Sequence, residues 1–409
     1  MSHDAVPEPL SRNRDFKVLL SSQAISALGD GVSFTALPLL VFALTGSGFA
    51  MGFVGAIQTL PDLFFGMIAG AVADRSDRKR MMFLADLVRA GLTAMIPLSV
   101  ALGGPTMVVI VLVTAPMAVC RSFFLAGYTA SVPQLAGRSQ IGRANSYFEV
   151  IFSMGFIIGP ALAGLLAASI GPGPTLAIDA LSFALSAFAI GLVRRDLRAP
   201  IDRPPARLVE DIREGIEYIV ASPVLRTAIS FWALTAILLA PLVTALTVDI
   251  TKDLGLEPWI LGLVLAVYGV GTVVGSIVSA RRIGRGRVAE VLIGGNLVMG
   301  VALVVLALSV QIPVLLAIAF VAGVAQSMVL VMYLTLRTTY SPDALLGRVG
   351  STARTFSLGL QPVGMLVGGA LIDATSGATT IAIMGCAVVL VSLAFAPVGA
   401  LRHASLAPR

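Results

Sequence analysis

Apolar runs of about twenty residues follow one another along this chain, separated by polar breaks that are mostly short. A run of that length crosses the hydrocarbon of a bilayer as an α-helix. Twelve are counted, near residues 17–44, 51–72, 81–102, 106–128, 145–169, 175–193, 225–248, 259–279, 289–310, 313–336, 352–374 and 377–399. Of the 409 residues, 57% are hydrophobic and only 12% charged, too little charge to keep a water-soluble exterior dispersed. The chain therefore reads as an all-α membrane protein with 12 transmembrane helices, here called spans 1 to 12.

The net charge is +6. With the N-terminus placed in the cytoplasm, every Lys and Arg except Lys252 falls on a cytoplasmic segment or on the inner part of a span. The outer connections 102–105 and 171–173 carry no bases. This asymmetry predicts that both termini are cytoplasmic and the protein multi-pass, in a bacterial inner (plasma) membrane. The basic balance then serves topology and contact with membrane lipid, and no nucleic-acid partner is expected. The segment after Arg12, Arg14 and Lys17 is too long for a cleaved signal and is read as a retained span 1. Residues 1–14 are read as a mobile polar tail.

Cys120 and Cys386 lie in separate apolar spans, where buried small hydrophobes are expected rather than a disulfide. The two His, His3 and His403, are in the tails, which excludes His-based metal or triad chemistry. No Gly-x4-Gly-Lys-Ser/Thr loop occurs, so ATP is not the energy source. No cofactor is expected, and no catalytic set is assembled.

Ionisable residues inside spans are costly and mark function by default. Asp30 lies ~13 residues beyond Lys17, so ~20 Å along a helix and inside the hydrocarbon. It reads either as a proton-carrying acid or as a packed, hydrogen-bonded one. Arg121 in span 4 either snorkels to the inner interface or is the electrostatic partner of Asp30. Asp62 beside Pro61 is nearer the outer end. Asp86 and Arg89, at i and i+3 in span 3, share a face and can pair with each other or with the charged turn below.

That turn joins spans 2 and 3 and reads Gly70-Ala-Val-Ala-Asp74-Arg75-Ser-Asp77-Arg78-Lys79-Arg80. Gly70 is expected to let a neighbouring helix come close, while Arg75, Arg78 and Lys79 hold helix-terminal carbonyls. Span 5 carries Gly155, Gly159, Pro160 and Gly164, a small-residue face interrupted by a proline. Span 6 opens with Ile178-Asp179-Ala-Leu-Ser182-Phe183. Residues 194–224 are the one long polar stretch, with an amphipathic helix that lies on the inner membrane surface. The halves on either side repeat. Gly70 and Gly275, and Arg143 and Arg348, are matched pairs, each 205 residues apart. The expected organisation is a bundle over 1–193, a linker over 194–224 and a second bundle over 225–409.

The spacing Gly-x3-Asp-Arg-x-x-Arg-Lys resembles the loop between helices 2 and 3 of the major facilitator superfamily, with Asp77 where that family usually has Gly. The pattern Gly-x3-Gly-Pro-x3-Gly resembles the antiporter motif of its drug/proton exporters, a group that includes macrolide and siderophore exporters. The opening of span 6 is similar to the same group. The resemblance implies a major facilitator fold of two pseudo-symmetric six-helix bundles rocking about a midplane cavity lined by helices 1, 4, 7 and 10. Candidate cavity residues are Phe34, Gln58, Phe124, Phe152, Trp232, Tyr268, Gln326 and Gln361. It also implies a conformational latch in which Asp74 faces the start of helix 11 near Gly350 to Arg354.

The expected function is secondary active export of amphipathic small molecules by proton antiport, with Asp30 and Arg121 as the coupling pair. A cavity with few charges suits hydrophobic or weakly cationic compounds better than sugars or phosphates. A lipid or lysolipid translocator of the same fold is the alternative; an enzyme or a channel is disfavoured. The chain is expected to work as a monomer.

Overall fold

The computed structural model describes residues 9–198, 208–282, 288–342, 345–402 and 404. Part of the proline-rich linker and the second-half turn after span 8 (residues 283–287) lie outside the described residues, as does the side chain of Asp62. Sixteen α-helices are described: α1 (Arg14–Thr45), α2 (Gly48–Ala73), α3 (Arg78–Ala101), α4 (Thr106–Ala136), α5 (Ile141–Ile170), α6 (Pro172–Gly191), α7 (Leu208–Ala221), α8 (Pro223–Leu239), α9 (Leu242–Val248), α10 (Pro258–Arg282), α11 (Val288–Ala307), α12 (Ile312–Thr339), α13 (Leu346–Gly359), α14 (Gln361–Ala374), α15 (Gly377–Phe395) and α16 (Gly399–Arg402). Twelve helices or helix pairs are long and apolar enough to cross a membrane. The all-α, twelve-span reading holds.

Two spans are broken where the sequence suggested continuous helices. Span 7 consists of α8, α9 and a π-helical turn, Asp249–Asp253, with the interruption at Ala240 and Pro241. Span 11 is interrupted at Leu360, between α13 and α14. Pro241 and Pro362 each lack the amide that would continue the ladder, so the chain restarts there. In α1 and α5 the prolines Pro38 and Pro160 are accommodated without a break.

Two compact units emerge. One comprises Met1–Leu40 with Leu60–Ala206, the other Val41–Thr59 with Arg207–Arg409. In the first, the core at the charged-turn end packs Phe16, Leu19, Met82, Phe124, Tyr128 and Phe148. Leu10 is buried in it, and the Asn13 side chain donates to the Leu135 carbonyl at 2.8 Å, so residues 9–13 are docked and not a free tail. In the second, Phe231, Met332, Tyr333 and Val349 centre the equivalent core. The linker helix α7 docks in this unit. Gly215 lies so close to α13 that a Cβ would meet Thr352 Oγ1 at 2.6 Å; Glu214 pairs with Arg348, and the Tyr218 hydroxyl donates to the Tyr340 carbonyl at 3.1 Å. Ile216 and Val220 remain exposed, as an interfacial helix requires. Cys120 is half-buried, and Cys386 is exposed on α15 instead of buried. Helix faces turned to lipid need not be polar, so a small thiol there is tolerated.

Candidate transport site

The charged turn is built as a set of staples. The last carbonyls of a helix have no intrahelical donor. Arg78, buried to 3%, donates from Nε to the Ala73 carbonyl at the end of α2 and from Nη1 to Ala130 of α4, both at 3.0 Å. Lys79 Nζ reaches the carbonyls of Gly191 and Val193, at 2.9 and 2.6 Å, and so closes the end of α6. Asp77 is the N-cap of α3: its carboxylate accepts from the Arg80 amide at 3.1 Å. This explains an acid where the superfamily usually has Gly. Asp74 sits 3.8 Å from Arg78, about half exposed, and Arg75 is exposed. A Cβ at Gly70 would meet nothing within 4 Å, so the close helix approach expected there is not made. Arg354 is exposed on α13.

The antiporter-like glycines of α5 pack on α1. A Cβ on Gly155 would meet the Ala27 carbonyl at 2.5 Å, and one on Gly159 would meet Gly31 Cα at 2.6 Å. Pro160 and Gly164 are buried on the same helix. From the other side, a Cβ on Gly31 would strike the Gly155 carbonyl at 2.2 Å. No side chain larger than hydrogen fits at Gly31, Gly155 or Gly159.

Just before Gly31, the same turn of α1 meets two further helices. A Cβ on Gly29 would lie 2.0 Å from Ser182 Oγ and 2.6 Å from Asp179 Oδ1 of α6. Asp30, between the two glycines, receives Arg89 Nη2 of α3 at 2.7 Å. The other Arg89 amino group, Nη1, lies 3.3 Å from Asp86. The guanidinium carbon stands 3.7 Å over the Phe183 ring, a cation–π contact in a desolvated setting. Asp179 accepts from Ser33 Oγ and, at 3.3 Å, from Ser182 Oγ. The tripeptide Gly29-Asp30-Gly31 is thus the junction of α3, α5 and α6, and three carboxylates surround one arginine there. Asp86, Arg89 and Asp179 are exposed by 0, 4 and 1%; only the Asp30 side chain, at 38%, is open to its surroundings.

Asp30 and Arg121 are not brought together. Arg121 lies on an exposed face of α4, and the carboxylate is held by Arg89. The i, i+3 spacing offers Arg89 a partner in Asp86 or in the charged turn, not in span 1. The signal was present in the glycines on either side of Asp30, which mark an acid approached closely by two helices.

The cavity candidates divide. Phe34 is exposed at 42% and meets Phe156 edge-on, with centroids 5.4 Å apart. Phe152 is half-buried and Gln58 exposed. Phe124 is a core residue, 5% exposed beside Tyr128, and offers no surface to a solute. Trp232 is half-buried and stacks on Tyr333 at 5.1 Å and 10°. Tyr268 is half-buried, and its carbonyl lies 2.1 Å from a Cβ built on Gly323, where α10 and α12 cross. Gln326 Oε1 is buried without a hydrogen-bond partner among the described residues. Gln361 is half-buried at the restart of span 11.

A family model described as transmembrane secretion effector matches residues 7–406. The chain belongs to that family of the major facilitator superfamily. It is a membrane transporter, not an enzyme. It is 30% identical over 403 residues to the multidrug efflux pump Tap of Mycobacterium tuberculosis, covering 96% of this chain and 95% of Tap. It is 24% identical over 179 residues to macrolide efflux protein A of Streptococcus pyogenes, 44% of either chain. Among solved structures, a bacterial homologue of the human lysosomal transporter Spinster, in an inward-facing and unoccupied conformation, shares the fold at a TM-score of 0.77. That match has 15% sequence identity and covers 95% of this transporter and 96% of the homologue.

Proposed function

We propose that this transporter exports amphipathic small molecules from a bacterial cytoplasm by proton antiport with alternating access. The charged turn and both termini then face the cytoplasm. The observation that carries the reading is the Asp30–Arg89 ion pair: a carboxylate near the middle of a membrane helix, open on one side and tied on the other to a buried guanidinium. Such an acid exchanges a proton with its surroundings, and the exchange changes what Arg89 is held by. The names of the relatives support small-molecule efflux as the task. Arg89 replaces Arg121 as the coupling partner of Asp30 in this reading. Protein purified as the intact chain and placed in vesicles with an imposed pH gradient should concentrate ethidium or erythromycin. Asp30→Asn should abolish gradient-driven accumulation while retaining exchange of labelled compound. Full gradient-driven transport by that variant excludes Asp30 as the coupling acid, and an unmodified protein indifferent to pH excludes proton antiport.

A further inference from the structure

We propose that Asp179 is a second proton-carrying residue, holding a proton in this conformation and exchanging it against Asp30 by way of Arg89. The inference rests on the proton coupling proposed above and deepens it.

One guanidinium balances one carboxylate, and three surround Arg89. Asp30 has the short charge-assisted bond, at 2.7 Å, and Asp86 the longer one, at 3.3 Å. Asp179 has neither. Its partners are the hydroxyls of Ser33 and Ser182, and its residue exposure is 1%. Hydroxyls donate to a carboxylate and equally accept from a carboxylic acid, so this cradle serves either form. An ionised carboxylate buried beside two other acids, with no cation bonded to it, is the costly form. The remaining surroundings do not change the count: α6 has no other charged residue, and α5 has none between Val150 and Ile170. From α1 and α3 the facing charges are Asp30, Asp86 and Arg89.

Arg89 is placed to change partners. It lies over Phe183, which follows Asp179 by four residues and so occupies the same face of α6 one turn away. Asp179 is within electrostatic reach of Arg89. When Asp30 takes up a proton, an O–H bond forms there and its hold on the guanidinium weakens. Arg89 then pairs with Asp179, whose O–H bond breaks as its proton passes to the half-buried Ser33 hydroxyl, which gives up its own proton to the surroundings. One proton is gained and one lost, and the charge of the cluster is unchanged. The bareness of Gly29 fits this use, since it brings Asp179 against α1 beside Asp30.

Infrared difference spectra of the purified full chain test the assignment without any transported compound. A protonated carboxyl band should be present in the unmodified protein and in Asp86→Asn, and absent in Asp179→Asn. A band that survives Asp179→Asn, or one lost only in Asp86→Asn, overturns the proposal. Should Asp179→Asn fail to fold, Ser33→Ala with Ser182→Ala keeps the acid and removes its hydroxyls. The band should then move to higher wavenumber, and an unmoved band is equally fatal. In vesicles, Asp179→Asn should lose gradient-driven ethidium accumulation at least tenfold while ethidium exchange stays within about twofold. If the unmodified protein ignores the pH gradient but the band is assigned to Asp179, antiport fails and the proton site stands. If it responds and Asp179→Asn responds equally, Asp179 has no part in coupling.

Discussion

The two six-span repeats share a scaffold and differ in charge. Helices match at the 205-residue offset: α6 begins at Pro172 and α15 at Gly377, and α5 begins at Ile141 and α13 at Leu346. Glycine crossings match too. Gly159 packs against Gly31, and its counterpart Gly364 would place a Cβ 2.1 Å from the Ile237 carbonyl. At the same offset, Asp30, Asp86, Arg89 and Asp179 correspond to Thr235, Val291, Gly294 and Met384. The second repeat joins the corresponding helices α11 and α15 with a neutral bond, Asn296 Nδ2 to Ser392 Oγ at 3.1 Å. The frame recurs in both halves, and the buried charge cluster resides in the first.

Removing the cation is the most severe way to break this comparison. Arg89→Leu strands the fully buried Asp86 and its other ion-pair partner, Asp30, and loss of one partner of a buried ion pair costs roughly 3–5 kcal/mol. Asn296→Leu removes one neutral hydrogen bond between membrane helices, typically worth about 0.6 kcal/mol. Unfolding of the purified variants in dodecyl sulfate should separate the two clearly. Equal losses would mean that the charge cluster is merely another structural bond.

Much of the scaffold was legible because its causes are local. Twelve apolar runs give twelve spans, and a base after a helix end, such as Arg78 or Lys79, finds carbonyls nearby. The cluster was only partly legible because its bonds cross between α1, α3 and α6. The i, i+3 spacing lets Asp86 and Arg89 pair with each other or with the charged turn, whereas the bond from Arg89 to Asp30 depends on helix rotation, which hydropathy does not specify. Phe124 was misplaced for the same reason, since the side of α4 it occupies decides between core and cavity. The breaks at Pro241 and Leu360 follow from proline chemistry, but Pro38 and Pro160 show that a proline alone does not predict a break.

A matched pair of glycines sharpens the contrast at intermediate size. Gly70 and Gly275 are equivalent in the repeat and unlike in packing. A Cβ at Gly275 would lie 2.4 Å from the Val324 carbonyl of α12, whereas one at Gly70 meets open space. Gly275→Ala should therefore force α10 from α12 and cost about 1–3 kcal/mol, as overpacking does. Gly70→Ala should leave stability within about 0.5 kcal/mol. Thermal unfolding of the two variants is the measurement. A large loss at Gly70 would show that this glycine is needed for a close approach in another conformation of the cycle.

The smallest expected effects lie at the two ends of α2. At its start, inside the second compact unit, Asp373 of α14 accepts the Gly48 and Phe49 amides, the latter at 3.0 Å, and the Ser47 hydroxyl at 2.6 Å. Gly52 packs so tightly there that a Cβ would meet the Met365 carbonyl at 2.2 Å. A carboxylate at a helix N-terminus gains about 0.3–1 kcal/mol from the dipole, so Asp373 holds this end of α2 against α14. At the other end stands Asp74, the expected latch of the charged-turn face. Asp373→Asn keeps one acceptor oxygen and loses the charge, so opening at the Ser47 face should become about two- to fivefold more populated. Asp74→Asn should instead favour opening at the charged-turn face by a similar factor. Single reporter cysteines near each end, in protein with Cys120 and Cys386 replaced, would read both shifts through their labelling rates. Opposite signs are expected because each charge is lost from a different face. Shifts of the same sign would mean that these acids stabilise α2 itself, and the reading of Asp74 as a latch of the charged-turn face would then have to be abandoned.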